Sequence, residues 1–403
     1  MKTPTHFWIG AALAVVALLA ACGTLPRLDA VPASLTERAS IPGIPNARLW
    51  LDGDLAPFIQ VILRDNQHEV AALQAAGQPT EPLPPMNMLA ISGGGDAGPF
   101  AAGVLSGWTA HGDRPQFRVV TGTSAGALIA PFAFLGPEYD NVVRAVATSV
   151  GPSDFFRKRS TLRGLSSDGM ASSEPLAQLL AKYVTPELLA AIAREFAKGR
   201  ALQIATTDLD SGRPVTWDMG KIAASNTPGA LELFRKIMIA STSIPGLVSP
   251  VMIDVEVDGK PFQEMHVDGA VMGQVFLYPS TTLREWNKAT GAPFSREIHS
   301  YVIRNGRLDP DWHSTKRRTI DIGGRAIRSL VQMQGINDVQ RLFQTAQQDG
   351  AEFHVAFIGP DFEAPHTVQF DPTYMRSLYE YGYQLGASGR AWHSTPPDHT
   401  ARD

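Results

Sequence analysis

The stretch from Met86 to Gly126, MNMLAISGGGDAGPFAAGVLSGWTAHGDRPQFRVVTGTSAG, restricts the fold more than any other part of the chain. A short apolar run, Met88 to Ile91, ends in Gly93-Gly94-Gly95. A helical pattern then opens at Pro99, where a missing N–H costs nothing. A second apolar run, Phe117 to Val120, ends in Gly122-Thr123-Ser124-Ala125-Gly126, and the helical pattern AGALIAPFAFL leaves it. Each half reads as strand, glycine-rich turn and helix, and two such units in succession favour a parallel sheet with the two turns side by side. The second turn is a G-x-S-x-G elbow, expected to lift the Ser124 hydroxyl above the strand end while Gly122 and Gly126 let the backbone pass closely. The first offers unpaired backbone N–H groups at a helix start. A nucleophile beside free donors is the layout of a serine hydrolase.

The glycine turn also fits the dinucleotide fingerprint, since Gly93, Gly95 and Gly98 follow a strand. That motif needs an acidic residue ending the next strand, on the ribose. Asp113 has nearly the right spacing but precedes the strand Phe117–Val120, and a serine elbow stands where the acid belongs. No Gly-Lys-Ser/Thr follows the glycines, which excludes a P-loop.

Beyond the elbow, Glu138–Val150 is expected to be helical, and Ser173–Lys198 to hold two helices broken at Thr185-Pro186. Between them, Phe155-Phe156-Arg157-Lys158-Arg159 and Arg163 read as a solvated basic loop over two buried phenylalanines, with contact to anionic lipid as the less favoured reading. Leu202–Thr206 and Pro214–Trp217 form a hairpin around Asp210-Ser211-Gly212, and Leu231–Ala240 a helix. Val251–Val257 and Pro261–Val267 flank Asp258-Gly259, the strongest hairpin signal in the chain. The second arm runs into Asp268-Gly269, which suits an oriented carboxylate as well as an ordinary turn. The remainder alternates strands, Glu297–Ile303 and Glu352–Ile358, with a long helix over Arg318–Gln347. The organisation expected is a leader over 1–21, an extension and linker over 22–85 with a helix near Phe58–Ala76, a core over 86–280, and a C-terminal α/β extension over 281–403 packed on that core.

The N-terminus pairs one lysine with an apolar run, Phe7 to Ala21, too short for a membrane span and suited to a secretory signal. Leu19-Ala20-Ala21-Cys22 resembles a bacterial lipobox, and Cys22 is the only cysteine of the 403 residues. The expectation is a lipid-modified Cys22 at the mature N-terminus and no internal disulfide. With Gly23 next, and no acidic retention signal, the location expected is the cell envelope, at the outer membrane. A formal net charge of −4 argues against nucleic acid as a partner.

Four features together resemble the patatin-like phospholipase family, in that family's order: Gly93-Gly94-Gly95, the elbow Gly122–Gly126, the A-S-x-x-I-P segment Ala240–Pro245, and Asp268-Gly269-Ala270. The resemblance implies a three-layer α/β/α fold with a mainly parallel central sheet, and a Ser–Asp dyad of Ser124 and Asp268 without a histidine. It also implies hydrolysis of phospholipid or other acyl-ester lipids with neither metal nor cofactor. One departure stands out. Many members carry a basic residue after the glycines, and this chain has Asp96-Ala97.

The residues support that chemistry. A serine hydroxyl needs a base within reach, and a carboxylate serves as one only where burial raises its pKa, so Asp268 is expected in a dry site. The oxyanion donors are expected from Gly93, Gly94 and Gly95, with Ala125. Two competitors remain. One is an α/β-hydrolase carboxylesterase with a Ser–Asp–His triad, its histidine drawn from His266, His299, His313 or His354; the other is a catalytically silent, lipid-binding lipoprotein.

Overall fold

A computed structural model of the chain describes residues 25–160, 167–310, 312, 314–366 and 368–397. The leader, Cys22, Arg163 and His313 lie outside the described residues.

The first strand–turn–helix unit is β2 (Met86–Ile91) followed by the helix Pro99–His111, and the second is β3 (Val119–Thr123) followed by Ala125–Leu135; β1 (Arg48–Trp50) precedes both. β2 and β3 are parallel neighbours, as the two glycine turns required. β3 begins two residues later than its apolar run and continues through Thr121, Gly122 and Thr123. Parallel partners on both sides, β2 and the strand Ala201–Asp208, supply ladder bonds to this stretch and override the weak strand preference of Gly122.

A short ribbon of β4 (Arg157–Lys158) and β5 (Ala171–Ser172) stands apart from the main sheet. The two hairpins form as read: β6 (Ala201–Asp208) with β7 (Arg213–Asp218), and β8 (Val251–Val257) with β9 (Lys260–Asp268). Asp258 and Gly259 both take positive φ, 51° and 77°, as a two-residue turn of this kind demands. The helices Glu174–Tyr183, Pro186–Ala197 and Ala230–Ser241 fall where the apolar spacing put them.

The sheet runs β1-β7-β6-β3-β2-β10-β11, with β10 (Ile298–Arg304) and β11 (Glu352–Phe357) parallel to β2. The chain beyond residue 280 therefore does not pack on a finished core: it completes the sheet, and β10 lies directly against β2. Likewise β1, from the stretch read as an extension, pairs with β7 at the other edge. Strand parity makes the layers. Leu89 and Ile91 join one apolar cluster with Phe100, Val104, Ala130 and Phe134, while Met88 and Ala90 join another with Val302, Val339 and Leu342. Each face of the sheet is covered by helices, which is why β2 reads as a continuous apolar run.

The closest helix pairing is between Pro99–His111 and the C-terminal helix Pro372–Ala387. A Cβ on Gly103 or Gly107 would collide with the Tyr379 or Tyr383 carbonyl, and one on Gly382 or Gly386 with the backbone of Phe100 or Val104. Four glycines let the two backbones touch.

Candidate active site

The register of β6 decides how Ser124 meets Asp268. One edge of β6 is taken by β7 over Gln203–Asp208. The other is shared end to end. β3 occupies it in parallel as far as Thr123 opposite Ala205, and β9 takes over in the antiparallel sense with Asp268 opposite Thr206. Two strands arriving from opposite directions thus finish at adjacent positions, and the residue after Thr123 is Ser124.

Ser124 sits at φ 52°, ψ −122°, the strained turn conformation that holds a nucleophile above the sheet. Its Oγ donates to Asp268 Oδ2 at 2.7 Å, and the other carboxylate oxygen accepts the Ala270 N–H at 2.8 Å. Both residues are deeply set, 6% and 3% exposed. Burial pushes the Asp268 carboxyl from 3.8 up to about 7, against the Ala270 and Ser124 hydrogen bonds that pull it down. That is the value a carboxylate needs to act as a base near neutrality.

The Ala240–Pro245 segment holds both partners by the backbone. Ser241 Oγ accepts the Ser124 N–H at 2.9 Å, and the Ser243 carbonyl accepts the Asp268 N–H at 3.0 Å. Gly122 and Gly126 mark backbone contacts too tight for a Cβ, Gly126 against the Ile91 carbonyl at the end of β2. The elbow and the glycine turn are thereby pressed together.

The oxyanion donors need one correction. Gly93 N–H is already given to the Gln274 carbonyl at 2.9 Å, so it cannot serve. No acceptor among the described residues takes the N–H of Gly94, Gly95 or Ala125. A Cβ on Gly94 would overlap the Asn305 carbonyl, so the turn tolerates only glycine there.

Sequence reading missed the support beneath this turn. Arg304 ends β10 and is buried, with Nη1 donating to the Gly93 carbonyl at 3.1 Å and to Ser92 Oγ at 3.3 Å. Burial lowers its guanidinium to about 10, with Asp338 opposing, so it stays charged at neutral pH. Asn305 accepts the Ala101 N–H and donates to Ser92 O, tying the turn to the helix start. The available signal was Arg304-Asn305 at the C-terminal end of a parallel strand, where sites of open α/β sheets gather. Asp96 accepts from the Phe370 N–H at 2.8 Å and lies 2.7 Å from His366 Nε2, so it anchors the C-terminal segment to the turn.

The histidines do not reach the pair. The Trp217 indole donates to Thr206 Oγ1, which donates in turn to His266 Nδ1 at 2.9 Å, leaving Nε2–H for Glu264 Oε2 at 3.2 Å. Glu264 is buried, which raises it, yet Arg48 and His266 hold it down at about 2. Both nitrogens of His266 are spent. His299 and His354 lie towards the N-terminal ends of β10 and β11, away from Ser124. Among the described residues no histidine is hydrogen-bonded to Ser124 or Asp268. Phe155 and Phe156, expected to be buried, are half-buried against Phe370, while Arg157 pairs with Glu174 and Arg159 with Asp168.

Beside the donors, an apolar cavity of about 460 Å³, open mouth included, runs between Gly95, Ala125, Leu128, Phe132, Val146 and Met375.

A mainly parallel sheet between helices, with an elbow serine and free N–H groups at its C-terminal edge, defines an α/β acyl hydrolase. Residues 89–278 match the family model of the patatin-like phospholipases, and the chain carries a patatin-like phospholipase domain. The protein is accordingly an enzyme, a lipid acyl hydrolase. No curated protein matches the chain. Among solved structures it is similar to VipD from Legionella pneumophila, at 10% identity over 76% of this chain and 67% of that one, with a TM-score of 0.34. It is also similar to the type III effector protein ExoU, at 15% identity over 76% of this chain and 54% of that one, with a TM-score of 0.21.

Proposed function

We propose that the protein cleaves acyl esters of membrane lipids, as a phospholipase A or lysophospholipase, with Ser124 as nucleophile and Asp268 as its only base. The observation that carries this is the 2.7 Å hydrogen bond between a strained serine and a buried carboxylate raised to about 7. Asp268 takes the Ser124 proton as Oγ attacks the ester carbonyl, and the oxyanion forms against the N–H groups of Gly94, Gly95 and Ala125. Collapse expels the alcohol, which leaves with the proton from Asp268. Water then enters, gives a proton to Asp268 and attacks the acyl-serine carbonyl, and Asp268 returns that proton to Ser124 Oγ as the fatty acid leaves.

Arg304 supplies the positive charge that Asp96 does not. It bonds the carbonyl of the peptide whose N–H belongs to Gly94, polarising that donor from behind. The cavity between Ala125 and Phe132 suits the acyl chain, because its lining is apolar and includes Gly95 and Ala125.

Two features support work at a membrane. Ile322, Ile327, Leu330 and Met333, on the first half of the helix Thr319–Asp349, are exposed, as are Val271 and Met272 on the turn after Asp268. Gln334 donates to the Val271 carbonyl, so helix and turn form one apolar rim beside the site. Lys316, Arg317, Arg318, Arg325 and Arg328 against Asp321 alone make that rim fit an anionic lipid surface. Among the described residues no single helix is long and apolar enough to cross a membrane. Attachment through acyl chains on Cys22, at the outer membrane of the cell envelope, completes the reading.

The test is labelling by a serine-reactive fluorophosphonate together with hydrolysis of phospholipid vesicles. Wild type is expected to label and hydrolyse, and Ser124→Ala to do neither while keeping its thermal midpoint. Turnover persisting in Ser124→Ala would move the nucleophile elsewhere.

A further inference from the structure

At the end of the sheet away from Ser124, four side chains that the hydrolytic site does not use face one another. Residues two apart on a strand leave by the same face, which groups Glu352 with His354, while Glu297, just before β10, stands beside His299. In the parallel register His299 stands opposite Glu352, and Tyr301 opposite His354. His299 Nδ1 lies 3.0 Å from Glu352 Oε2, and His354 Nε2 lies 3.5 Å from the same oxygen. All three ligand atoms fall within 4.8 Å of one another. Ligands of a tetrahedral zinc ion, each about 2.0–2.1 Å from the metal, sit about 3.4 Å apart.

An ordinary histidine–glutamate hydrogen bond does not explain the cluster. Nδ1 of His299 and Nε2 of His354 are both shielded from solvent, and neither makes a well-aligned hydrogen bond among the described residues. The two nitrogens therefore turn towards Glu352 without the direction a shared proton requires. The second ring nitrogen of His299, Nε2, is 3.1 Å from Glu297 Oε1. A carboxylate behind a ligating imidazole is how metal sites fix tautomer and ring orientation. Tyr301 stacks on the His354 ring at 4.5 Å and 14°, holding its plane. The ion pairs of Glu297 and Glu352 among the described residues are with histidine alone, leaving two acids with no lysine or arginine to neutralise them. Glu352 is 62% exposed, so an ion can enter the cluster from its side and reach the two shielded nitrogens behind it.

We propose that His299 through Nδ1, His354 through Nε2 and the Glu352 carboxylate bind one divalent transition-metal ion of the zinc class, with solvent in the fourth position. Two imidazoles and a carboxylate suit Zn²⁺ over the all-oxygen sites of Ca²⁺ and Mg²⁺. The ion joins β10 to β11, the last strand pair of the sheet, and is a structural clamp on the strand that carries Arg304 and Asn305 to the glycine turn. The site stands independently of the reaction assigned to Ser124.

The test is calorimetric titration of untagged, chelator-treated full-length protein with Zn²⁺, and with Co²⁺ followed by its visible absorption. We expect one ion per chain with micromolar or tighter affinity, tetrahedral Co²⁺ bands, and a higher thermal midpoint with Zn²⁺ bound. His354→Ala and Glu352→Gln should weaken binding at least 100-fold, Glu297→Gln about tenfold, and His111→Ala not at all. Glu352 is exposed, so Glu352→Gln folds even if the histidine variants do not. Binding weaker than millimolar, or Zn²⁺ affinity unchanged in Glu352→Gln, would overturn the site.

Discussion

In the proposed mechanism two residues carry the chemistry, and the pH profile of a variant lacking His266 separates a carboxylate base from that histidine. With Asp268 at about 7 the site is active when that group is ionised, so kcat/KM should rise roughly tenfold per pH unit below 7 and level off above it. The same rise is expected in His266→Ala, whose loss should fall on stability, since Thr206 and Glu264 lose a buried partner. A flat profile would remove Asp268 as the base, and activity lost in folded His266→Ala would restore the triad. Linkage gives a second reading. The folded pKa of Asp268 lies above its unfolded value, so its contribution to stability is complete below about 4 and is lost as pH climbs through 7. Asp268→Asn should thus be inactive yet melt higher than wild type at pH 8, with the difference shrinking towards pH 5. Arg304 is the other residue to probe. Arg304→Met should lower kcat about 10- to 100-fold with KM little changed, because a polarised donor matters most to the oxyanion. Unchanged kcat in a folded variant would reduce Arg304 to packing.

Among the elements, the helix Thr319–Asp349 divides in two. Its second half is buried through Ile336, Val339, Leu342 and Ala346, while its first half exposes Ile322, Ile327 and Leu330. A soluble surface gains nothing from such side chains, whereas a lipid surface buries them. Ile327→Glu with Leu330→Glu should weaken binding to anionic vesicles at least tenfold and slow hydrolysis of vesicle lipid in proportion. Hydrolysis of a soluble short-chain ester should stay within twofold of wild type. Equal loss on both substrates would show damage to the site instead of loss of docking.

For the whole molecule, the site draws on the matched domain and on the chain that follows it. Ser124 and Asp268 come from the matched domain, while Arg304, Asn305 and the segment reaching Asp96 come from beyond it. Truncation after residue 280 would take away β10 and with it the floor of the glycine turn. The proposed attachment through Cys22 also belongs to this scale. Cys22→Ser should move the protein from the membrane pellet to soluble or unprocessed forms, since two or more acyl chains hold a protein that a surface rim only touches. A variant that still pellets after a high-salt wash would show that Cys22 is not the anchor.

Local pattern sufficed for what local geometry controls. Glycine turns, the elbow and the two hairpins depend on a few consecutive residues, so Gly122–Gly126 and Asp258-Gly259 declared their conformations in the sequence. The pairing of Ser124 with Asp268 was legible only through family resemblance. What brings them together is the register of β6, where β3 ends and β9 begins on one edge, and register is set by contacts between distant strands. The same holds for the Gly93 N–H given to Gln274, the Arg304 charge under the turn and the two spent nitrogens of His266. Each is a question of which partner a buried polar group finds, and a buried group's partner is chosen by the packing of the whole sheet.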